Sequence, residues 1–185
     1  MQVLGASGDL AYKKTYPALF GLYKNGFLPL NFQIIGYARS TVDLNEFKKR
    51  ISSKMKLAND ADRESLKSFL ERCFYISGLY DDDQSFINLA RFVESVEGRV
   101  VGSRDRVFYM ALPPSVFIPA STGIRDHVYS ANGQNRLIVE KPFGKDTDSS
   151  LALSVALAKK WQESEIYRID HYLGKEMVKN LMILR

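Results

Sequence analysis

Short apolar runs alternate along the chain with longer stretches in which apolar residues recur every three or four positions. The runs are QVL (2–4), FQIIGY (32–37), FYISGLY (74–80), RVFYMAL (106–112), RLIVE (136–140) and IYRID (166–170). They are rich in β-branched and aromatic residues, and turn-forming residues bound several of them, which predicts strands. The stretches 12–26, 43–57, 60–72, 83–97, 115–131, 147–162 and 174–184 predict helices. Phe86, Leu89, Ala90 and Val93 show the helical spacing, and Asp43 and Thr147 are expected N-caps. Strand alternating with helix is the pattern of a parallel sheet covered on both faces. RLIVE is as apolar as a strand buried on both sides requires. No repeat, low-complexity tract or linker interrupts the pattern, so a single α/β domain is expected over 1–185. The closing GKEMVKNLMILR ends on an apolar run without a cap or a return strand, and predicts that a C-terminal portion of a longer protein is missing.

Composition narrows the class. With 45% hydrophobic and 25% charged residues, the chain can bury a core. No apolar run approaches the roughly 18 residues of a membrane span, and MQVLGASGDL lacks the basic start and apolar block of a secretory signal. The lone Cys73 forms no intramolecular disulfide, which suits a reducing, cytoplasmic setting. One cysteine and two histidines are too few for a structural zinc site. The net charge of +5 is spread among acids, as in DLNEFKKRISSKMK. That is a solvated helix face, not the basic stripe of a nucleic-acid protein.

The chemistry sits at the strand ends. VLGASGDLA places Gly5 and Gly8 after the first strand and at the start of the first helix, with the small Ala11 following. There a dinucleotide fold holds a pyrophosphate, although the spacing is G-x-x-G-x-x-A and a ligand-free turn reads the same way. The second strand ends in YARST. Arg39 stands where NAD-binding folds carry a carboxylate, which favours a 2′-phosphate and hence NADP; a plain surface arginine is the alternative. MALPPSVF closes the fourth strand with two prolines that rigidify either a nicotinamide contact or an ordinary turn. IVEKPFG brings Lys141 to the end of the fifth strand, before a proline whose peptide bond tolerates cis. RIDHYLGKE then crowds Asp170, His171, Tyr172 and Lys175 behind the last strand. The histidine, tyrosine and lysine offer donors to a phosphate ester, and Asp170 suits the orientation of a histidine. The other histidine, His127, lies in a predicted helix and reads as a surface residue.

GASGDLA, YARS, ALPP, EKPFG and RIDHYLGKE, in this order and spacing, resemble the N-terminal part of the glucose-6-phosphate dehydrogenase family, in wording that looks fungal. The resemblance implies a Rossmann-like, doubly wound, mostly parallel sheet with helices on both faces. The family's C-terminal α+β domain would be absent. Residues 1–185 would form the NADP-binding domain and end in a substrate-phosphate segment at 166–176. The implied activity is NADP-dependent oxidation of glucose 6-phosphate to 6-phosphogluconolactone, with no metal. By the same resemblance Gly5, Ala6, Ser7, Gly8, Asp9, Leu10 and Ala11 hold the coenzyme pyrophosphate, Arg39 its 2′-phosphate, and Ala111 and Pro113 flank the nicotinamide. Lys141 contacts coenzyme and sugar and, with Asp170, belongs to the catalytic set. His171, Tyr172 and Lys175 bind the sugar phosphate. The catalytic base is implied to be a histidine of the later domain, which also carries the dimer or tetramer contacts, so these residues alone are expected not to turn over. Two positions are to be noted against the family: Tyr12 stands where it usually has a lysine near the phosphates, and Phe117 where some members have a tyrosine. A non-catalytic nucleotide-binding module on the same fold is the alternative.

Overall fold

The computed structural model describes residues 1–98, 103–143, 146–170 and 180. Six strands form one sheet: β1 (Gln2–Leu4), β2 (Ile34–Ala38), β3 (Cys73–Ser77), β4 (Arg106–Met110), β5 (Asn135–Glu140) and β6 (Ile166–Ile169). Their order is β3-β2-β1-β4-β5-β6, and every neighbouring pair is parallel. Parallel neighbours cannot be joined by a tight turn, so each crossover carries helix. These are α1 (Tyr16–Lys24), α2 (Leu44–Ser52), α3 (Asp60–Glu71), α4 (Asp83–Glu97), α5 (Phe117–Gly123) and α6 (Thr147–Ala158). The chain winds from β1 to one edge, returns to β4 beside β1, and winds to the other edge.

Strand side chains alternate between two cores. Val3, Ile34 and Ala38 pack with Tyr16, Phe20, Phe47 and Phe69 from α1, α2 and α3. Leu4, Ile35 and Tyr37 pack on the other side with Phe86, Phe117 and Leu153 from α4, α5 and α6. Apolar residues at successive strand positions therefore report burial on both faces, and the doubly wound sheet expected from the sequence is the observed fold.

Local details differ from expectation for physical reasons. The first helix begins at Asp9, and Ala11–Thr15 is wound as a π turn before α1. Pro17 has no N–H, and its ring would strike the Lys13 carbonyl in an unbroken α-helix; widening the preceding turn relieves this. Asp43 caps α2 as expected, accepting from the Asn45 and Glu46 N–H groups at 2.8 and 3.4 Å. The α6 cap is Asp146, not Thr147: Asp146 accepts from the Ser149 N–H at 2.8 Å while Ser149 Oγ lies 3.1 Å from the Asp146 N–H, a reciprocal box. The predicted helix at 174–184 falls outside the described residues apart from Asn180, which is helical. His127 sits half-buried in the π turn Ile124–Val128, its Nε2 3.3 Å from Asp83 Oδ1.

Candidate functional site

Because all six strands are parallel, their carboxyl ends share one edge of the sheet. Leu4 is in register with Tyr37 and with Met110, Met110 with Val139, and Glu140 with Ile169. Gly5, Arg39, Ala111, Lys141 and Asp170 each follow within a residue or two and so stand at that same edge. The β1/β4 junction is where the winding reverses, the position at which open α/β sheets bind ligands.

The glycine turn occupies that junction. Gly5 has φ +80°, and a Cβ there would fall 2.1 Å from the Ala111 carbonyl oxygen, so the turn and the end of β4 are in direct contact. The positive φ is that of the tight turn which the first glycine of a dinucleotide fold provides. The Gly5 and Ala6 N–H groups donate to the Tyr37 carbonyl at 3.0 and 3.2 Å, and Gly8 N–H to the Gly5 carbonyl at 2.9 Å. Those donors are engaged within the protein. The remaining amides of the turn and helix start, at Ser7, Asp9 and Leu10, are the candidates for a phosphate. Ala6 and Ala11 are buried and shape the turn by packing. Asp9 is exposed, and the hydrogen bond from Lys13 at 2.7 Å holds its carboxyl below the usual range. Tyr12 points inward, with its ring 5.8 Å from Tyr16 and 6.3 Å from Phe47.

Arg39 and Ser40 leave β2 exposed, beside the turn: Ser40 Oγ is 3.4 Å from Ser7 Oγ. On the other side of the junction Pro113 is exposed and Ala111 half-buried, while Phe117 is fully buried at the start of α5. Lys141 directly follows β5 and is joined by a cis bond to Pro142. Its ammonium pairs with Asp170 Oδ2 at 2.6 Å, half-exposed on the lysine side. The neighbouring Glu140 is buried and accepts the Tyr109 hydroxyl. His171, Tyr172 and Lys175 lie outside the described residues.

The Lys141–Asp170 pair joins two residues that the sequence motifs place separately. Adjacency of the strands ending in them was the signal available. Two further residues at this edge carry no motif: Tyr80, whose hydroxyl accepts the Gly5 N–H at 3.1 Å, and Tyr75, whose hydroxyl donates to the Ser40 carbonyl at 2.5 Å. Read as strand residues 74–80, they gave no cue that they turn towards β1 and β2.

Residues 2–180 match the family described as "Glucose-6-phosphate dehydrogenase, NAD binding domain". A glucose-6-phosphate 1-dehydrogenase of Emericella nidulans is 57% identical over 183 residues, 99% of this chain and 36% of that protein. The Dictyostelium discoideum enzyme of the same name is 51% identical over 185 residues, 99% of this chain and 36% of that protein. A chloroplastic form from Arabidopsis thaliana is 45% identical over 186 residues, 99% of this chain and 31% of that protein. A solved glucose-6-phosphate dehydrogenase in complex with its substrate superposes with a TM-score of 0.91 at 44% identity, over 100% of this chain and 38% of that one. The chain thus spans about a third of the length of the curated relatives it matches. By sequence and by fold, it belongs to the NAD-binding domain family of the glucose-6-phosphate dehydrogenases.

Proposed function

We propose that residues 1–185 are the NADP-binding domain of an enzyme that oxidises glucose 6-phosphate to 6-phosphogluconolactone. The observation that carries the reading is the convergence of Gly5, Arg39, Ala111, Lys141 and Asp170 on one edge of a parallel sheet. The cradle suits the coenzyme: Gly5, at φ +80°, makes the tight turn that sets the start of the first helix beside the end of β4. Ser7, Asp9 and Leu10 offer the helix start to the pyrophosphate, with Gly8 closing the turn between them and Ala6 and Ala11 packed beneath. Arg39 presents a guanidinium to the 2′-phosphate, and no carboxylate stands at that end of β2 to select NAD. Ala111 and Pro113 border the nicotinamide end. Adjacent strands lie about 4.8 Å apart, so the dinucleotide laid from β2 across β1 and β4 reaches β5 after about 14 Å.

Held by these residues, NADP⁺ would supply the hydride acceptor for the sugar's oxidation. Lys141, held by Asp170, presents an ammonium where coenzyme and sugar meet, and both belong to the catalytic set. His171, Tyr172 and Lys175 supply donors for the sugar phosphate in the segment after β6, which closes the domain at 166–176. A cytoplasmic setting is consistent with the lone, buried Cys73.

Titration with NADP⁺ and NAD⁺ tests the reading. NADP⁺ is expected to bind the tighter of the two, and Arg39→Ala to erase that preference while leaving NAD⁺ affinity unchanged. Equal loss for both coenzymes would exclude Arg39 as the 2′-phosphate ligand. Failure of the unaltered chain to bind either would exclude the site.

A further inference from the structure

We propose that the β3 side of the sheet supplies two positioning residues for the coenzyme: Tyr80, acting through the glycine turn, and Tyr75, acting through the Arg39–Ser40 corner. The proposal rests on the coenzyme reading above and deepens it.

Tyr80 lies in the loop between β3 and α4 and is 6% exposed. Its hydroxyl accepts the Gly5 N–H at 3.1 Å, across 75 residues of sequence. That N–H already bonds the Tyr37 carbonyl at 3.0 Å, so the phenol is a second acceptor on one amide. Two acceptors in different directions fix the peptide plane that a single ladder bond would let swing. The loop carrying Tyr80 is itself tied down. Gly78 N–H donates to the Ala38 carbonyl at 3.0 Å, and the Tyr37 hydroxyl donates to the Leu79 carbonyl at 2.5 Å. The second bond needs glycine at 78, where a Cβ would fall 2.5 Å from the Tyr37 hydroxyl. Ser85 Oγ then accepts the Leu79 N–H at 3.2 Å and donates to Asp82, the α4 cap, at 2.6 Å. The Tyr80 ring stands edge-on to Tyr37 at 5.6 Å.

Tyr75 repeats the device at the neighbouring corner. Its ring packs 4.8 Å from Phe47, and its hydroxyl donates to the Ser40 carbonyl at 2.5 Å. Ser40 Oγ in turn meets Ser7 Oγ. Neither tyrosine has to touch the coenzyme: each holds the backbone that does, so the ordering cost falls on folding and not on binding.

Tyr80→Phe and Tyr75→Phe each remove one oxygen and keep the ring. Both coenzymes share the pyrophosphate, so Tyr80→Phe is expected to weaken NADP⁺ and NAD⁺ by the same factor, about fivefold for one hydrogen bond. Tyr75→Phe is expected to weaken NADP⁺ more than NAD⁺ and so to narrow their ratio. Thermal melting without ligand gives the structural control: a merely structural role lowers the midpoint and leaves the affinities for both coenzymes unchanged. Unchanged affinity for both coenzymes in Tyr80→Phe, or an unchanged ratio in Tyr75→Phe, removes that residue from the proposal. If Tyr80→Phe does not fold, the ratio in Tyr75→Phe decides. If the unaltered chain binds neither coenzyme, the coenzyme reading falls and takes the proposal with it. If it binds and both variants match it, the positioning role alone is refuted.

Discussion

Gly5→Ala is the most direct test of the junction between β1 and β4. The methyl group would sit 2.1 Å from the Ala111 carbonyl oxygen and 2.8 Å from its carbon, where atoms normally rest about 3.5 Å apart or more. Both obstructing atoms are backbone, so no side chain can rotate away. The φ of +80° adds a second penalty. A left-handed conformation costs an L-residue about 1–2 kcal/mol, and forcing extra volume into a packed contact costs about 1–3 kcal/mol more. The sum, about 2–5 kcal/mol, is a large share of the roughly 5–15 kcal/mol that stabilises a domain. The overlap is relieved by pushing the turn away from β4, which also displaces the phosphate donors. Urea denaturation followed by fluorescence of the buried Trp161 measures the first effect, and NADP⁺ titration the second. Gly8→Ala is the internal control for stability: its Cβ would lie 3.1 Å from a single oxygen, that of Gly5, and its φ is not positive, so a much smaller fall in the urea midpoint is expected. A Gly5→Ala protein with the original urea midpoint and the original NADP⁺ affinity would refute the reasoning.

Three other outcomes follow from the packing and charge. Phe47 is fully buried among Tyr12, Tyr16 and Tyr75, and Phe47→Ala is expected to cost about 3–5 kcal/mol in urea denaturation; a loss under about 1 kcal/mol, the scale of a surface change, would contradict that packing. The Ala58 N–H and then Lys24 hold the Asp62 carboxyl below the usual range. A depressed carboxyl stabilises the fold above its unfolded pKa of about 3.9 and loses that contribution as pH falls through the folded value, so Asp62→Asn should be less stable than the parent at neutral pH, with the gap closing in acid. Equal gaps at pH 7 and pH 3 would contradict this sign. Burial pushes the Cys73 thiol up to about 12, so a thiol reagent at neutral pH should react only at the rate of unfolding; prompt labelling of the native chain would count against its burial.

How much of this was legible depends on whether a signal is local. β1, β5 and the sheet type could be read because apolar residues stand at successive strand positions, which only a sheet covered on both faces requires. The strands predicted at 74–80 and 106–112 run past β3 and β4, because Tyr80, Ala111 and Leu112 are apolar for the sake of loop packing. Asp146 and Thr147 are both acceptable caps in isolation, and Ser149 decides between them. Tyr12 reads as a charge missing near the phosphates, but the aromatic cluster around Phe47 draws it inward. The glycine turn and Arg39 were visible because their chemistry follows directly from strand ends. The Lys141–Asp170 pair and the Tyr80 hydroxyl were not, since each joins segments that meet only once the sheet is assembled.

The reversal of winding between β1 and β4 bears on how the molecule comes apart. The two wound halves share a single interstrand seam within the sheet, and the glycine turn stands at its end. A dinucleotide lying across that seam would act as a clasp, resisting separation of the halves, so that saturating coenzyme should merge any staged unfolding into one transition and stabilise the fold by about 2.7 kcal/mol at a hundredfold excess over Kd.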